Sequence, residues 1–378
     1  MEGRTIRKSR EEDLRALMAM YDHSRQIMRR TGNRQQWIGG YPSENQIKAD
    51  IQSGVSHIIE SGGEAIGVFA FIIGRDHTYN EIRGGAWESD ERPYGTLHRL
   101  ACAEGQHGIF GTCIEWCRRQ MTSLRIDTHE DNAIMRHLIE KYGFKYRGII
   151  QIDDGSDRLA YQMTETGVLC EPLRDYLCEE VLPVYATFDK AHQTDHAERV
   201  IENSLQLAEH HDVEINMVYT IAAYHDVGLT EGRERHHLVS GERMRSDKAL
   251  RQWFTSEQIE TMAEAVEDHR ASGGAEPRSI YGKIVAEADR DIEPMKIICR
   301  TVQYGLSNYP ELDREAQRRR AVEHLEEKYG VGGYMKLWLK ESPNAAKLEE
   351  LRKMIADRGR LEETIDAIFE VEKMKKEE

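Results

Sequence analysis

Over roughly the first 165 residues the spacing of apolar positions changes period again and again. "REEDLRALMAMYDHSRQIM" is amphipathic at helical spacing. "VSHIIES" and "EAIGVFAFIIG" read as strands joined by the turn Gly62-Gly63, and "TLHRLAC" as a further strand leading into the helix "GTCIEWCRRQM". The strand "LRIDTH", the helix "NAIMRHLIEKY" and the strands "GFKYRGIIQI" and "RLAYQM" complete this half. Mixed strands and helices with short loops predict an α/β (α+β) domain, a mixed sheet flanked by helices, over residues 1–165. Near "TETGVLCEP" the rhythm breaks. From about residue 172 only helical stripes follow: "HAERVIENSLQLAEHH", "INMVYTIAAYHDVG", "SEQIETMAEAVEDHR", "SIYGKIVAEADRDI" and one long charged tail helix, "NAAKLEELRKMIADRGRLEETIDAIFEVEKMKK". Residues 172–378 are therefore expected to be an all-α bundle, with a core over about 185–295 and a helical extension over 296–378. The tail carries Leu348, Leu351, Ile355, Leu361, Ile365 and Ile368. It is expected to dock on the second domain, with the seam of a homodimer as the alternative.

Composition narrows the function. Of 378 residues, 39% are hydrophobic and 31% charged, so the chain can bury sizeable cores in a well-solvated surface. A net charge of -15 argues against a nucleic-acid binder and against an anionic membrane surface. Cys102, Cys113, Cys117, Cys170, Cys178 and Cys299 form no CxxC pair, and reduced thiols in a cytoplasmic protein are expected. "MEGRTIRKSREEDL" lacks the apolar centre of a signal peptide, and no apolar run approaches the roughly 20 residues needed to cross a bilayer.

The chemistry concentrates at helix ends in the second half. His196 opens a helix, and His225-Asp226 closes another inside the apolar "AAYHDVGL". His236 and His237 follow a charged loop, His269 ends the next helix, and Asp289 lies four residues after Val285, on that helix's apolar face. An uncompensated buried ion costs several kcal/mol, so this pattern asks for an internal partner, and a divalent cation would be one. Imidazole and carboxylate together suit zinc, iron or manganese, and carboxylates add affinity for magnesium. "AAYHDVGL", "AEADRD" and "DHAERV" resemble the HD-domain metal-dependent phosphohydrolase superfamily over about residues 185–295. That resemblance implies His196, His225, Asp226 and Asp289 as metal ligands, and places His236 or His237 together with His269 at a second metal. It implies a phosphohydrolase in which Asp226 also orients water. Arg270, Arg278, Lys283 and Arg290 lie close by in sequence and suggest cations for the oxygens of a phosphate ester, such as a nucleotide or other small phosphorylated metabolite.

In the first half, "TLHRLACAEGQHGIFGTCIEWC" and "LRIDTHEDNAIMRHLIEKYGF" resemble the GNAT N-acetyltransferase superfamily over about residues 4–165. The resemblance implies acetyl-CoA as cofactor and an amine as acceptor. Its pyrophosphate would rest on the helix N-terminus at Gly108, Ile109, Phe110 and Gly111, its pantetheine along Leu100 to Cys102, and Asn132 belongs to the second family motif. Aligned on Gly108, this chain has Gly105 where Gln or Arg is usual, Phe110 at the second glycine and Ile139 at the position of a frequent general-acid tyrosine. His98 and His129 are the candidates for a base, with a structural role as the alternative for each. Together the two halves predict a metal-dependent phosphohydrolase fused to an acetyltransferase-like domain. Two alternatives are a small-molecule N-acetyltransferase with a binding-only HD domain, and a metal- and ligand-binding sensor without turnover.

Overall fold

The computed structural model describes residues 3–188, 194–270 and 275–377. The chain divides into two compact units, one of residues 1–176 with 247–259, the other of residues 177–246 with 260–378. The return of 247–259 to the first unit has no counterpart in the sequence pattern.

The first unit is built on a seven-stranded sheet in the order β1-β2-β3-β4-β5-β7-β6. Its strands are β1 Arg4–Lys8, β2 Ser56–Ser61, β3 Glu64–Ile73, β4 Gly95–Cys102, β5 Ser123–Thr128, β6 Lys145–Gln151 and β7 Asp157–Thr164. β1 is a charged edge strand that the periodicity does not reveal. Gly62 and Gly63, both at positive φ, make the two-residue turn between β2 and β3, a conformation that glycine adopts without steric penalty. The helices are α1 Leu14–Arg30, α2 Glu44–Gln52, α3 Ile109–Gln120, α4 Ala133–Lys141 and α5 Glu171–Tyr176. Leu17, Met20 and Tyr21 of α1 pack with Ile47, Ile58, Val68 and Ala101 to cover one face of the sheet.

Two features of β4 shape this unit. It pairs in parallel with β5 only over Gly95–Leu97 and Leu124–Ile126, although β4 continues to Cys102 and β5 to Thr128, so the strands splay apart. A bulge opposite Phe69 puts Arg99 at φ 52, where its guanidinium grips Asp50.

The second unit is helical: α6 Thr194–Ala208, α7 Ile215–Tyr224, α8 His236–Ser246, α9 Ser256–Asp268 (which begins in the first unit), α10 Ile280–Ala288, α11 Pro294–Asn308, α12 Arg314–Tyr329, α13 Asn344–Ala356 and α14 Arg358–Glu377. The tail corrects the single-helix expectation. Asp357 leaves helical geometry at ψ 78 and divides it into α13 and α14. The break lets both apolar stripes enter one core: Leu348, Leu351 and Ile355 pack with Leu361, Ile365 and Phe369 against Ile298, Val322 and Leu325. Among the described residues, no helix is long and apolar enough to cross a membrane.

Candidate metal centre

Helix ends bring six side chains together in the second unit. His196 lies on the buried stripe of α6, in phase with Val200 and Leu207. His225 and Asp226 follow α7, whose "NMVYTIAAY" is buried on every side, so both are carried inward. His236 begins α8, His269 follows α9, and Asp289 caps the C-terminus of α10. Asp226 sits in the middle. Its Oδ1 is 3.2 Å from His236 Nε2 and 3.4 Å from His269 Nε2, while its Oδ2 is 3.6 Å from His196 Nε2 and 3.5 Å from His225 Nε2. Asp289 Oδ1 is 3.2 Å from His196 Nε2 and 4.0 Å from His225 Nε2. Two donor sets result, His196-His225-Asp226 and Asp226-His236-His269, with Asp226 common to both.

The tautomers can be read from the backbone. His225 Nδ1 is 2.7 Å from the Ala222 carbonyl, His236 Nδ1 2.8 Å from Arg233 and His269 Nδ1 2.6 Å from Val266, each carbonyl three residues back. A carbonyl oxygen only accepts, so each Nδ1 carries the proton and donates it. In the neutral imidazoles three Nε2 lone pairs then face Asp226, the arrangement in which imidazoles ligate metals. His236 Nε2 and His269 Nε2 also lie 3.1 Å apart, a crowding of acceptors that a cation would relieve, while His225 Nε2 lies 3.2 Å from His196 Nε2.

The charges respond to this crowding. Burial disfavours charge on His196, but Asp226 and Asp289 outweigh it and raise the imidazole to about 9. Arg199 Nη2 lies 2.8 Å from His196 Nδ1 and can only donate, which favours a lone pair there. In either state the proton on Nε2 remains, held by the two carboxylates, and an entering cation must displace it. Burial pushes His225 and His236 down, whereas Asp226 outweighs burial at His269 and raises it. Asp226 and Asp289 resist burial through their imidazole neighbours and stay below the usual carboxylate range.

His236, not His237, belongs to the cluster. His237 Nδ1 is buried without a hydrogen-bond partner outside both donor sets, and burial takes this imidazole down to about 4. The four cations expected to serve a phosphate are engaged elsewhere. Arg270 donates to the Glu234 carbonyl, Arg278 is held by Asp268 and Glu267, Lys283 pairs with Glu276, and Arg290 pairs with the buried Glu287 at 2.6 Å. The partners differ in kind and distance: a backbone carbonyl for Arg270, carboxylates 10 and 11 residues back for Arg278 and 7 back for Lys283, and a carboxylate one turn back for Arg290. Two residues escaped sequence reading. The buried Tyr185 hydroxyl accepts from the Asp226 N–H at 3.1 Å, donates to the Ala223 carbonyl at 3.1 Å and lies 3.3 Å from His225 Nδ1, with nothing in its sequence surroundings to mark it. Arg199 was missed too, although a signal was present: it stands three residues after His196, on the same helix face.

The first unit holds a second candidate. A cavity of about 1050 Å³ opens beside the splayed strands and is lined by Leu100, His98, Asp76, Asp127, Asn132 and Arg158, among others. His98 Nε2 is 2.9 Å from Asp76 Oδ2, and its Nδ1 is 3.7 Å from Asp127 Oδ1, which accepts from the Tyr79 hydroxyl at 2.7 Å. Burial works against charge on Asp76, but bonds from His98 and Thr78 hold it below the usual range. His129 is committed to a local turn, its Nδ1 accepting from the Asp131 N–H. Cys102 continues β4, where burial raises its thiol. Gly108 takes φ 73 as N-cap of α3, and the first bond of that helix runs from Thr112 N–H to the Gly108 carbonyl, so the N–H groups of Ile109, Phe110 and Gly111 precede the ladder. Phe110 does not fill this cradle: it is buried in an edge-on contact with Tyr142. The Asn132 side chain caps α4 through Met135 N–H and donates to Gln36, so its polar atoms are already occupied.

Residues 194–292 match the family model described as HD domain. This segment is an HD domain. Its class is that of metal-dependent hydrolases, in keeping with the histidine-aspartate cluster. The first unit is similar to the crystal structure of a GNAT-family acetyltransferase from Streptococcus agalactiae, at 31% identity, covering 43% of this chain and 96% of that one with a TM-score of 0.40. It is also similar to a GNAT-family acetyltransferase from Listeria monocytogenes, at 17% identity, with 43% and 94% coverage and a TM-score of 0.35. No curated protein matches the chain.

Proposed function

We propose that the HD domain hydrolyses a small phosphate ester, such as a nucleotide, using divalent cations held by His196, His225, Asp226 and Asp289 and by Asp226, His236 and His269. The observation that carries this reading is the locking of three Nδ1–H groups onto backbone carbonyls, which leaves three Nε2 lone pairs converging on one carboxylate. That donor set, neutral nitrogen with carboxylate oxygen, fits manganese, iron or zinc. When bound, such a cation supplies Lewis acidity toward a phosphoryl oxygen and makes water acidic enough to attack near neutral pH. The chain's own contribution is positional. Asp226, fixed through its backbone N–H to Tyr185, orients both donor sets and the attacking water. Arg199, exposed on α6 beside His196, offers a guanidinium to a phosphate oxygen. The test is phosphate release from a panel of nucleotides and sugar phosphates with added Mn²⁺. Wild type should turn over and Asp226→Ala should not; equal rates would end the proposal.

A second reading concerns the first unit and is favoured by the cavity beside the splayed β4 and β5. Leu100, which lines that cavity, begins the stretch to Cys102 that suits the arm of acetyl-CoA, and the three leading N–H groups of α3, further along the chain, suit its pyrophosphate. An amine acceptor would sit near His98 and Asp127. Calorimetric titration with acetyl-CoA decides it: heat of binding supports acetyl transfer, and its absence removes the acyl donor.

A further inference from the structure

The turn that carries Asp289 is held by a part of the chain outside the HD family match, which ends at residue 292. α10 ends at Ala288, beyond which the regular ladder stops, and the Glu287 carbonyl accepts from the Asp289 and Arg290 N–H groups of the turn itself. Side chains from distant segments add to these bonds. Asn344, 5% exposed at the start of α13, donates from Nδ2 to the Glu287 carbonyl at 3.2 Å and to the Arg290 carbonyl at 3.1 Å. Its Oδ1 accepts from the Ile292 N–H at 3.2 Å. One amide thus ties the backbone on both sides of Asp289. Asn203 of α6 donates to the carbonyl between them, Ala288, at 3.1 Å. Side chains of the same turn reach back to the segment that precedes α13. Glu287 Oε1 accepts from the Trp338 N–H at 2.7 Å, and Arg290, while paired with Glu287, donates to the Lys336 carbonyl.

We infer that residues 336–344, with Asn344 as the fastening point, form a clasp that positions Asp289 for metal binding. Asn344 touches no candidate ligand; it is a positioning residue acting through the α10 turn. The physical reason is geometric. Asp289 is the first residue past a helix end, where the backbone would otherwise fray, yet its Oδ1 must stay within a few ångströms of His196 Nε2. The clasp converts that end into a fixed turn. This role rests on the metal reading proposed above.

The test uses full-length protein stripped of metal and titrated with Mn²⁺, free ion being followed by electron paramagnetic resonance. Asn344→Ala and Asn344→Asp are compared with wild type. The aspartate keeps the volume and the acceptor for Ile292 but loses both donors, and so guards against collapse of the alanine variant. Loss of such outer partners typically weakens metal binding about 10- to 100-fold, and that loss is expected for both. Combined with Asp289→Ala, neither should weaken binding beyond Asp289→Ala alone. Leu351→Ala, in the bundle core away from the clasp, should lower stability but keep wild-type affinity. The inference falls if the Asn344 variants bind Mn²⁺ like wild type, if their loss adds to that of Asp289→Ala, or if Leu351→Ala weakens binding equally. Wild-type protein that takes up no Mn²⁺ would overturn the metal reading itself, and with it this role for Asn344.

Discussion

Arg290→Ala separates a phosphate-binding arginine from a structural one. Glu287 has no exposed side-chain surface and Arg290 only 8%, and their charged atoms are 2.6 Å apart. Removing one member of a buried pair leaves the other uncompensated, at a cost of about 3–5 kcal/mol. In a unit of this size each kcal/mol moves Tm by about 2–4 °C, so Tm should fall by about 6–20 °C. The pair itself is worth little net, because desolvation of both ions offsets their attraction. The double variant Glu287→Gln/Arg290→Met should therefore recover most of the loss, since the glutamine oxygen still accepts from Trp338. The pH dependence has a defined sign. Burial already outweighs Arg290 and holds Glu287 above the usual carboxylate range, and without Arg290 it rises further. A carboxyl whose folded pKa exceeds its unfolded value keeps its stabilising effect at low pH and loses it as pH rises through the folded pKa. The Arg290→Ala deficit should be smaller at about pH 5 than at about pH 8. The assay is thermal unfolding in chelator at both pH values, for single and double variants. A loss below about 1 kcal/mol, or no recovery in the double variant, would refute the reasoning.

Further consequences can be checked one by one. Tyr185→Phe leaves the Asp226 N–H and the Ala223 carbonyl unpaired in the interior; about 1–3 kcal/mol of stability should go, measured by urea unfolding, and Mn²⁺ affinity should drop about tenfold or more. Arg278→Ala should leave KM for any phosphate ester unchanged in steady-state assays, because its guanidinium is committed to Asp268 and Glu267. Mn²⁺ must displace the proton that Asp226 and Asp289 hold on His196, so calorimetric affinity should increase as pH rises from about 6 to about 9. A Cβ at Gly111 would lie 2.2 Å from the Tyr142 hydroxyl; Gly111→Ala should cost about 1–3 kcal/mol in thermal unfolding, and Tyr142→Phe should return part of it.

The sequence by itself determined the class of each half and the identity of most of the cluster. Alternating periods require a sheet with helices, helical stripes alone require a bundle, and a His-Asp pair inside an apolar helix end requires something charged beside it. These are local demands that neighbouring residues cannot hide. Tertiary structure decided the rest, because it turns on which distant group reaches a side chain first. His236 and His237 are equivalent in the sequence; the pitch of α8 turns the first toward Asp226. Arg278 and Arg290 look free as letters, yet carboxylates hold them, 10 residues back for Arg278 and one turn back for Arg290. Tyr185 lies 41 residues from the Asp226 N–H it accepts, and Asn344 lies 57 from the Glu287 carbonyl it fastens. The tail reads as one helix because its apolar positions keep helical spacing throughout, and it folds as two because a break at Asp357 buries both stripes in one core.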